Sequence, residues 1–370
     1  MTSRERFLRA VTHQSVDRVV VDLFGSPQTT IMNEETVVGI KKELGLTGDE
    51  KGNGYIDERI LRYAGADVRI TGGFPVPENP FSKSLPNGYV DFHGIEYTNM
   101  NGHPEITKNP LKDMTFEQIK EYPFPDADKI DKNLFEQYKQ HAKALFEETD
   151  YAVCAQHPVY GVFELGCWMF GFDDFLYRMA GEPETVIWFF DKIWEYQKRV
   201  IELYYSAVGP YIHCTTSGDD FGTQRGLLIS ANMFREMIAP YLKKRIAYTK
   251  QFTKAYFKQH TCGSVYELIP ALIECGVDIL NPIQPGTYLM EPERLKADFG
   301  GKISFWGGVD TQHLLVNGTV DEVKIEVKKL LDIFGTDGGF ILSPAHCLQA
   351  DVPPRNILAL YDTVKEYYKA

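Results

Sequence analysis

Long apolar runs are missing from this sequence: nowhere do about 18 apolar residues follow one another, so no segment reads as a membrane span. Positive charge is in deficit, with 39 Lys and Arg against 51 Asp and Glu, a formal net charge of −12 at pH 7 and a sequence pI near 5.3. Non-specific binding to nucleic acid or to an anionic membrane needs clustered cations, so neither is expected. Cysteine is sparse, with six residues at positions 154, 167, 214, 262, 275 and 347. They are too few and too scattered for a disulfide framework. The opening Met1-Thr2-Ser3-Arg4-Glu5-Arg6 mixes charges and has no apolar segment of the kind a secretory signal needs, so a reducing cytoplasm is the expected location. No Gly-x-Gly-x-x-Gly follows an early strand, which removes the best sign of a dinucleotide fold and predicts that no nicotinamide, flavin or pyridoxal group is bound.

What is present is a globular composition, 44% hydrophobic and 24% charged, with 4 Trp, 21 Tyr and 23 Phe. Most of those rings suit a large aromatic core, and the rest could line a cavity. Short apolar runs recur along the chain and predict strands over 19–24, 66–70, 151–156, 211–216, 255–258, 277–280, 303–306 and 339–342. Helical spacing lies between them, at 4–11, 33–46, 57–65, 172–180, 184–208, 232–252, 265–275, 292–298, 320–334 and 354–368. Uniformly apolar strands alternating with helices mark a parallel sheet covered on both faces. About eight such units close into a barrel, so the expected fold is an α/β (β/α)8 barrel spanning residues 1–370 as one domain, with an N-terminal extension. Residues 72–128 are rich in Pro, Gly and Asn and are expected to form an insertion or cap, with a hairpin at Gly88–Phe92 and Gly94–Thr98.

In such barrels the active site sits at the C-terminal ends of the strands. Metal-ligand and acid–base residue types concentrate just there. His260-x-Cys262 is the most informative pair, because residues i and i+2 at a strand end point the same way. Cys347 follows the last strand, and its side chain would face the same mouth. Two thiolates and one imidazole suit Zn2+ with one open position, although Cys is often only a small buried hydrophobe. Asp219-Asp220 follows the fourth strand. One of them could cap a helix or pair with Arg225, or the pair could accept hydrogen bonds or handle protons at the pocket. Glu164 lies in the otherwise apolar Val162-Phe163-Glu164-Leu165-Gly166 and must be paired, protonated or metal-bound, which makes it a candidate fourth ligand. Gln156, Tyr160, Phe221, Asn281 and Trp306 fall near the strand ends and are the candidate substrate-binding residues. His157 and His346 read as structural, and Cys154, Cys167, Cys214 and Cys275 as packing.

Several of these segments resemble the uroporphyrinogen decarboxylase superfamily. They are Arg4-Glu5-Arg6-Phe7-Leu8-Arg9-Ala10 with Asp17-Arg18-Val19, the stretch from Ser217-Gly218-Asp219-Asp220-Phe221 to Pro240-Tyr241-Leu242-Lys243, His260-Thr261-Cys262-Gly263, Gly307-Gly308-Val309-Asp310, and Ser343-Pro344-Ala345-His346-Cys347 with Val352-Pro353-Pro354-Arg355. The resemblance covers nearly the whole chain, is weakest over 72–128, and implies the same barrel. The decarboxylases resemble one another in an Arg-containing stretch after the first strand that holds the carboxylate arms of the porphyrinogen. Here that stretch is Asp22-Leu23-Phe24-Gly25-Ser26-Pro27-Gln28, without Arg, so decarboxylation of uroporphyrinogen is not expected. His260, Cys262 and Cys347 are instead similar to the zinc-ligand pattern of the zinc- and corrinoid-dependent methyltransferases. That resemblance implies Zn2+ and a methylcobalamin-type corrinoid supplied by a partner protein. Asp91-Phe92-His93-Gly94-Ile95-Glu96 departs from a corrinoid-module motif at Glu96, so the chain is not expected to carry the corrinoid itself.

The expected activity is methyl transfer from a small donor, such as a methoxylated aromatic undergoing O-demethylation, to the Co(I) corrinoid of the partner. A methylcorrinoid:thiol methyltransferase of the coenzyme M type, a uroporphyrinogen decarboxylase and a non-catalytic barrel are the alternatives. A homodimer is one assembly open to the chain, and the sequence does not fix the oligomeric state.

Overall fold

In the computed structural model, residues 1–49, 56–100 and 103–369 are described. Eight parallel strands form one sheet: β1 (Val20–Val21), β2 (Val68–Thr71), β3 (Ala152–Gln156), β4 (Cys214–Gly218), β5 (Tyr256–His260), β6 (Ile279–Ile283), β7 (Ser304–Val309) and β8 (Phe340–Pro344). Their order is β1-β8-β7-β6-β5-β4-β3-β2, so each strand after β2 lies beside its predecessor and β8 returns to β1. In-register pairs such as Val20↔Ile341, Tyr256↔Cys214 and Phe305↔Phe340 set the stagger.

The seam between β1 and β2 is bridged by Asp67. Its backbone N–H donates to the Val21 carbonyl at 2.8 Å, and its carboxylate accepts from Val21 N at 2.9 Å. That carboxylate is fully buried and is held by Arg6 and Arg18, each at 2.7 Å. Charge-assisted bonds to two guanidinium groups supply the partner a buried carboxylate requires.

The N-terminal helix, Ser3–Val11, closes the lower end of the barrel. Its Phe7, Ala10 and Val11 pack against Val20, Val68, Cys154, Cys214, Trp306 and Ile341, all buried. The outward residues of the strands pack under the surrounding helices in the main core, and the upper end remains for chemistry. No helix among the described residues is long and apolar enough to cross a membrane.

The eight predicted strands are present, with ends displaced by a few residues. The largest change is at β1, which stops at Val21 because Asp22 turns into the barrel. The insertion between β2 and β3 is a four-stranded antiparallel sheet of Lys83–Leu85, Gly88–Val90, Glu96–Met100 and His103–Lys108. The expected hairpin forms its middle, around an Asp91 turn whose carboxylate accepts from His93 N and Ile95 N, both at 2.9 Å. Elements outside the predicted set include the two flanking strands, the helix Lys132–Glu148 and the helix Val162–Phe170.

Candidate metal centre

Strand β5 carries His260 at its end with the side chain buried, and Cys262 follows across Thr261. Two neighbouring loops hold that turn. Thr261 N donates to the Asn281 carbonyl at 2.8 Å, Cys262 N to Asp220 Oδ1 at 2.8 Å and Gly263 N to Gln284 Oε1 at 2.8 Å. Gly263 has φ +79°, and a Cβ there would stand 2.6 Å from the Gly222 backbone, so only glycine lets the two loops touch.

The side chains are equally constrained. Asn281 Nδ2 donates to the Trp306 carbonyl at 3.0 Å, which turns its Oδ1 toward His260 Nδ1 at 2.6 Å. An acceptor at that distance makes Nδ1 the protonated nitrogen, so Nε2 presents a lone pair to the mouth. Cys262 Sγ lies 3.2 Å from that Nε2. His346 completes the group: one ligand atom from each of His260, Cys262 and His346 lies within 4.8 Å of the others, and the two imidazole rings are 5.4 Å apart.

Burial pushes His260 down to about 4, so its imidazole is neutral at pH 7. Burial, with Asp220 adding to it, holds the Cys262 thiol well above its ordinary range. A thiolate therefore forms here only beside a cation. Two neutral imidazoles and one such thiol are a borderline-soft donor set that fits Zn2+.

The sequence marked Cys347 as the third ligand and left His346 structural. In the structure His346 also stands within ligand distance of His260 and Cys262, and Cys347 remains near enough to bear on the Cys262 thiol. Cys347 Sγ donates to the Pro27 carbonyl at 3.1 Å, while His346 faces His260. His157 is fully buried, within 3.3 Å of both the Val159 carbonyl and Thr249 Oγ1, a structural position.

Asp219 is a cap in trans. Helix Val162–Phe170 starts at Gly161, which has no side chain to cap it, and the buried Asp219 carboxylate accepts from Glu164 N at 2.7 Å and Phe163 N at 3.5 Å. A Cβ on Gly161 would sit 2.0 Å from Asp219 Cγ, so this approach requires glycine. The capped helix carries Glu164 in its first turn toward β4. Burial holds the Glu164 carboxyl well above its usual range, Asp220 and Asp219 add to that, and Arg245 opposes it. Asp220 Oδ1, besides bonding Cys262 N, lies 3.9 Å from His260 Nε2.

The candidate substrate residues divide. Gln156 lines a cavity, and half-buried Tyr160 stacks on Phe74 with centroids 4.2 Å apart. Phe221 and Trp306 are fully buried and cannot meet a ligand: Phe221 packs on Phe163 and Phe234, and Trp306 Nε1 donates to Asp22 Oδ2 at 3.0 Å within the barrel. Asn281 is also fully buried, and its role is to orient His260.

Two charged residues escaped the sequence. Lys258 is fully buried, donates to Ser26 Oγ at 2.6 Å and lies 4.3 Å from the Trp306 ring centroid. The available signal was its parity with His260 on β5. Arg245 is buried behind Asp219 and Glu164, with Nη2 3.5 Å from Gln259 Oε1. It sits in the run Lys243-Lys244-Arg245, which reads as a solvated face.

Among the described residues, two cavities at the mouth bear on the site. One, of about 480 Å3, is bordered by Gln224, Cys262, Gln284, Asp310, Gln312 and His346. The other, of about 470 Å3, is bordered by Phe24, Pro27, Met32, Ile70, Gln156 and Cys347 and is mainly apolar.

Solved structures share this architecture. The chain is similar to a methyltransferase from Methanosarcina mazei over 100% of its own length and 99% of that protein's, with 18% identity and a TM-score of 0.68. It matches a putative vitamin-B12-independent methionine synthase from Listeria monocytogenes over 95% of its length and 98% of that protein's, at 11% identity and a TM-score of 0.45. At such identities the likeness to the first is one of fold. The sequence itself matches the family described as uroporphyrinogen decarboxylase (URO-D) from residue 93 to residue 367, most of the barrel and every residue of the candidate metal centre, and the chain belongs to that family.

Proposed function

We propose that the protein is a zinc-dependent methyltransferase that passes a methyl group from a small methoxylated aromatic to the Co(I) corrinoid of a partner protein. The observation that carries this is the His260–Cys262–His346 group, a metal-binding donor set with His260 Nε2 turned into it, open to a cavity at the barrel mouth. Those three residues would hold Zn2+, which when bound supplies Lewis acidity to the atom that gives up the methyl group.

The protein's own groups take the remaining roles. The apolar cavity on the Cys347 side suits a flat aromatic ring, with Gln156 at its wall as a hydrogen-bonding group. Glu164, kept protonated by burial and by its acidic neighbours, is a proton donor for the departing oxygen. The C–O bond of the donor breaks as the Co(I) electron pair forms the new bond to the methyl carbon. The oxygen keeps its bonding pair and takes the proton. Asp219 positions Glu164 through the helix cap, and Asp220 fixes the Cys262 backbone.

Decarboxylation of a porphyrinogen is disfavoured because the stretch after β1 has no Arg and, among the described residues, neither cavity is bordered by Lys or Arg. A coenzyme M-type thiol carries a sulfonate and meets the same lack of positive charge. The fold is shared with a protein described as a methyltransferase, an activity of the kind proposed here.

The test is the Co(I) cobalamin spectrum, followed with zinc-loaded protein and an aryl methyl ether. Conversion to methyl-Co(III) is expected. If no ether, amine or alcohol methylates Co(I) while a thiol demethylates methyl-Co(III), the direction is reversed, and if neither reaction runs, the methyltransferase assignment fails.

A further inference from the structure

The cavity beside Cys262 and His346 has a wall of carboxamides whose polarity is fixed by the backbone. Gly263 N donates to Gln284 Oε1 at 2.8 Å, so Gln284 turns its amino group outward. That Nε2 donates to Gln312 Oε1 at 3.3 Å, and Gln224 Nε2 donates to the same oxygen at 3.4 Å. The Gln312 carbonyl is thereby occupied twice. The wall is left with the Gln312 amino group as a donor and the Gln224 carbonyl as an acceptor, both on exposed side chains at the cavity.

Charge is nearly absent from this wall. Among the described residues no Lys or Arg borders the cavity, and the one carboxylate there, Asp310, has Oδ1 engaged by Gln312 N at 2.7 Å and His313 N at 2.6 Å. A carboxylate, phosphate or sulfonate finds no counter-charge there. A neutral ligand that carries primary carboxamides finds the complementary pattern: its carbonyl meets the Gln312 amino group, and its amino group meets the Gln224 carbonyl.

We propose that Gln224, Gln284 and Gln312 form the seat for the carboxamide-bearing rim of a corrin ring. This rests on the reading above in which a corrinoid is the methyl acceptor. A corrin is ringed by acetamide and propionamide side chains, and a cavity of about 480 Å3 takes one edge of such a ring. The seat adjoins Cys262 and His346, while the apolar cavity lies on the Cys347 side. Acceptor and donor then approach from different sides of the mouth.

The experiment compares zinc-loaded wild type with Gln312→Leu, Gln224→Leu and the double variant. Equilibrium binding of free methylcobalamin is measured, along with cobyrinic acid, which presents carboxylates where cobalamin presents amides. Each single variant is expected to weaken cobalamin binding by about three- to tenfold, the worth of one hydrogen bond. Zinc content should be unchanged, and the KM for Co(I) cobalamin should rise with little change in kcat. Wild type should prefer cobalamin to cobyrinic acid by about tenfold or more, and the double variant should lose most of that preference. If the Leu variants bind cobalamin like wild type, or if cobyrinic acid binds equally well, the amide seat is refuted even while methyl transfer continues. If wild type neither binds cobalamin nor methylates it with any donor, the corrinoid reading falls and the seat with it.

Discussion

Asn281 is fully buried, yet the metal centre depends on it. Its amide spans from the Trp306 carbonyl at 3.0 Å to His260 Nδ1 at 2.6 Å, and so selects the tautomer that leaves Nε2 free. Asn281→Ala removes both bonds in a fully buried place. Two buried groups left unpaired cost roughly 1–3 kcal/mol each, so stability should fall by about 2–6 kcal/mol. In the protein that remains folded, His260 loses its orienting partner. Zinc affinity should then drop about 10–100-fold, the usual effect of removing a group that orients a metal-binding imidazole. Asn281→Asp separates the two effects. It keeps an acceptor for Nδ1 and loses the donor to Trp306, so stability should fall while zinc affinity stays near wild type. The assay is chelator competition on folded protein, with urea unfolding run in parallel. Zinc affinity in Asn281→Ala within about twofold of wild type would refute the role given to the tautomer.

Other outcomes follow from the same contacts. Glu164→Gln should slow methyl transfer to Co(I) cobalamin by about 10²-fold or more while zinc stays bound, and an unchanged rate would remove Glu164 as proton donor. Gly161→Ala places a methyl 2.0 Å from Asp219 Cγ and should cost about 1–3 kcal/mol, with a parallel loss of activity as the helix bearing Glu164 shifts; thermal unfolding identical to wild type would contradict the close approach. Burial in the barrel pushes the Asp22 carboxyl from 3.8 up to about 6, so between those values the folded protein keeps a proton that the unfolded chain has released. Its stabilising contribution is therefore full below pH 4 and lost as pH rises through 6, by on the order of 3 kcal/mol. Urea midpoints between pH 4 and 7 should fall less steeply in Asp22→Asn, and equal slopes would place the proton elsewhere.

The barrel was legible because most strands begin in a short, buried apolar run, between helices with their own period. Lys132–Glu148 was not, since only Phe135 and Ala142 of that helix are buried and its surface is mostly Lys, Glu and Gln. In the insertion, Lys83–Leu85 has no buried residue to give it a strand period. The site was readable where parity decides, as for His260 and Cys262 on either side of Thr261. After Pro344 the chain leaves β8 through Ala345, whose N–H bonds the Val309 carbonyl, and both following residues reach the mouth, His346 at the cavity beside Cys262 and Cys347 at the apolar one. Trp306 looked like a mouth residue because it ends an apolar run, but β7 continues to Val309 and leaves the indole at the depth of Asp22.

The ligand set is where the account is most exposed, and zinc K-edge X-ray absorption of the purified protein tests it directly. Two imidazole nitrogens at about 2.0–2.1 Å and a single sulfur at about 2.3 Å are predicted, from His260, His346 and Cys262. Two sulfurs at that distance would put Cys347 on the metal in place of His346, and a spectrum without sulfur, or a protein that retains no zinc, would contradict the metal centre itself.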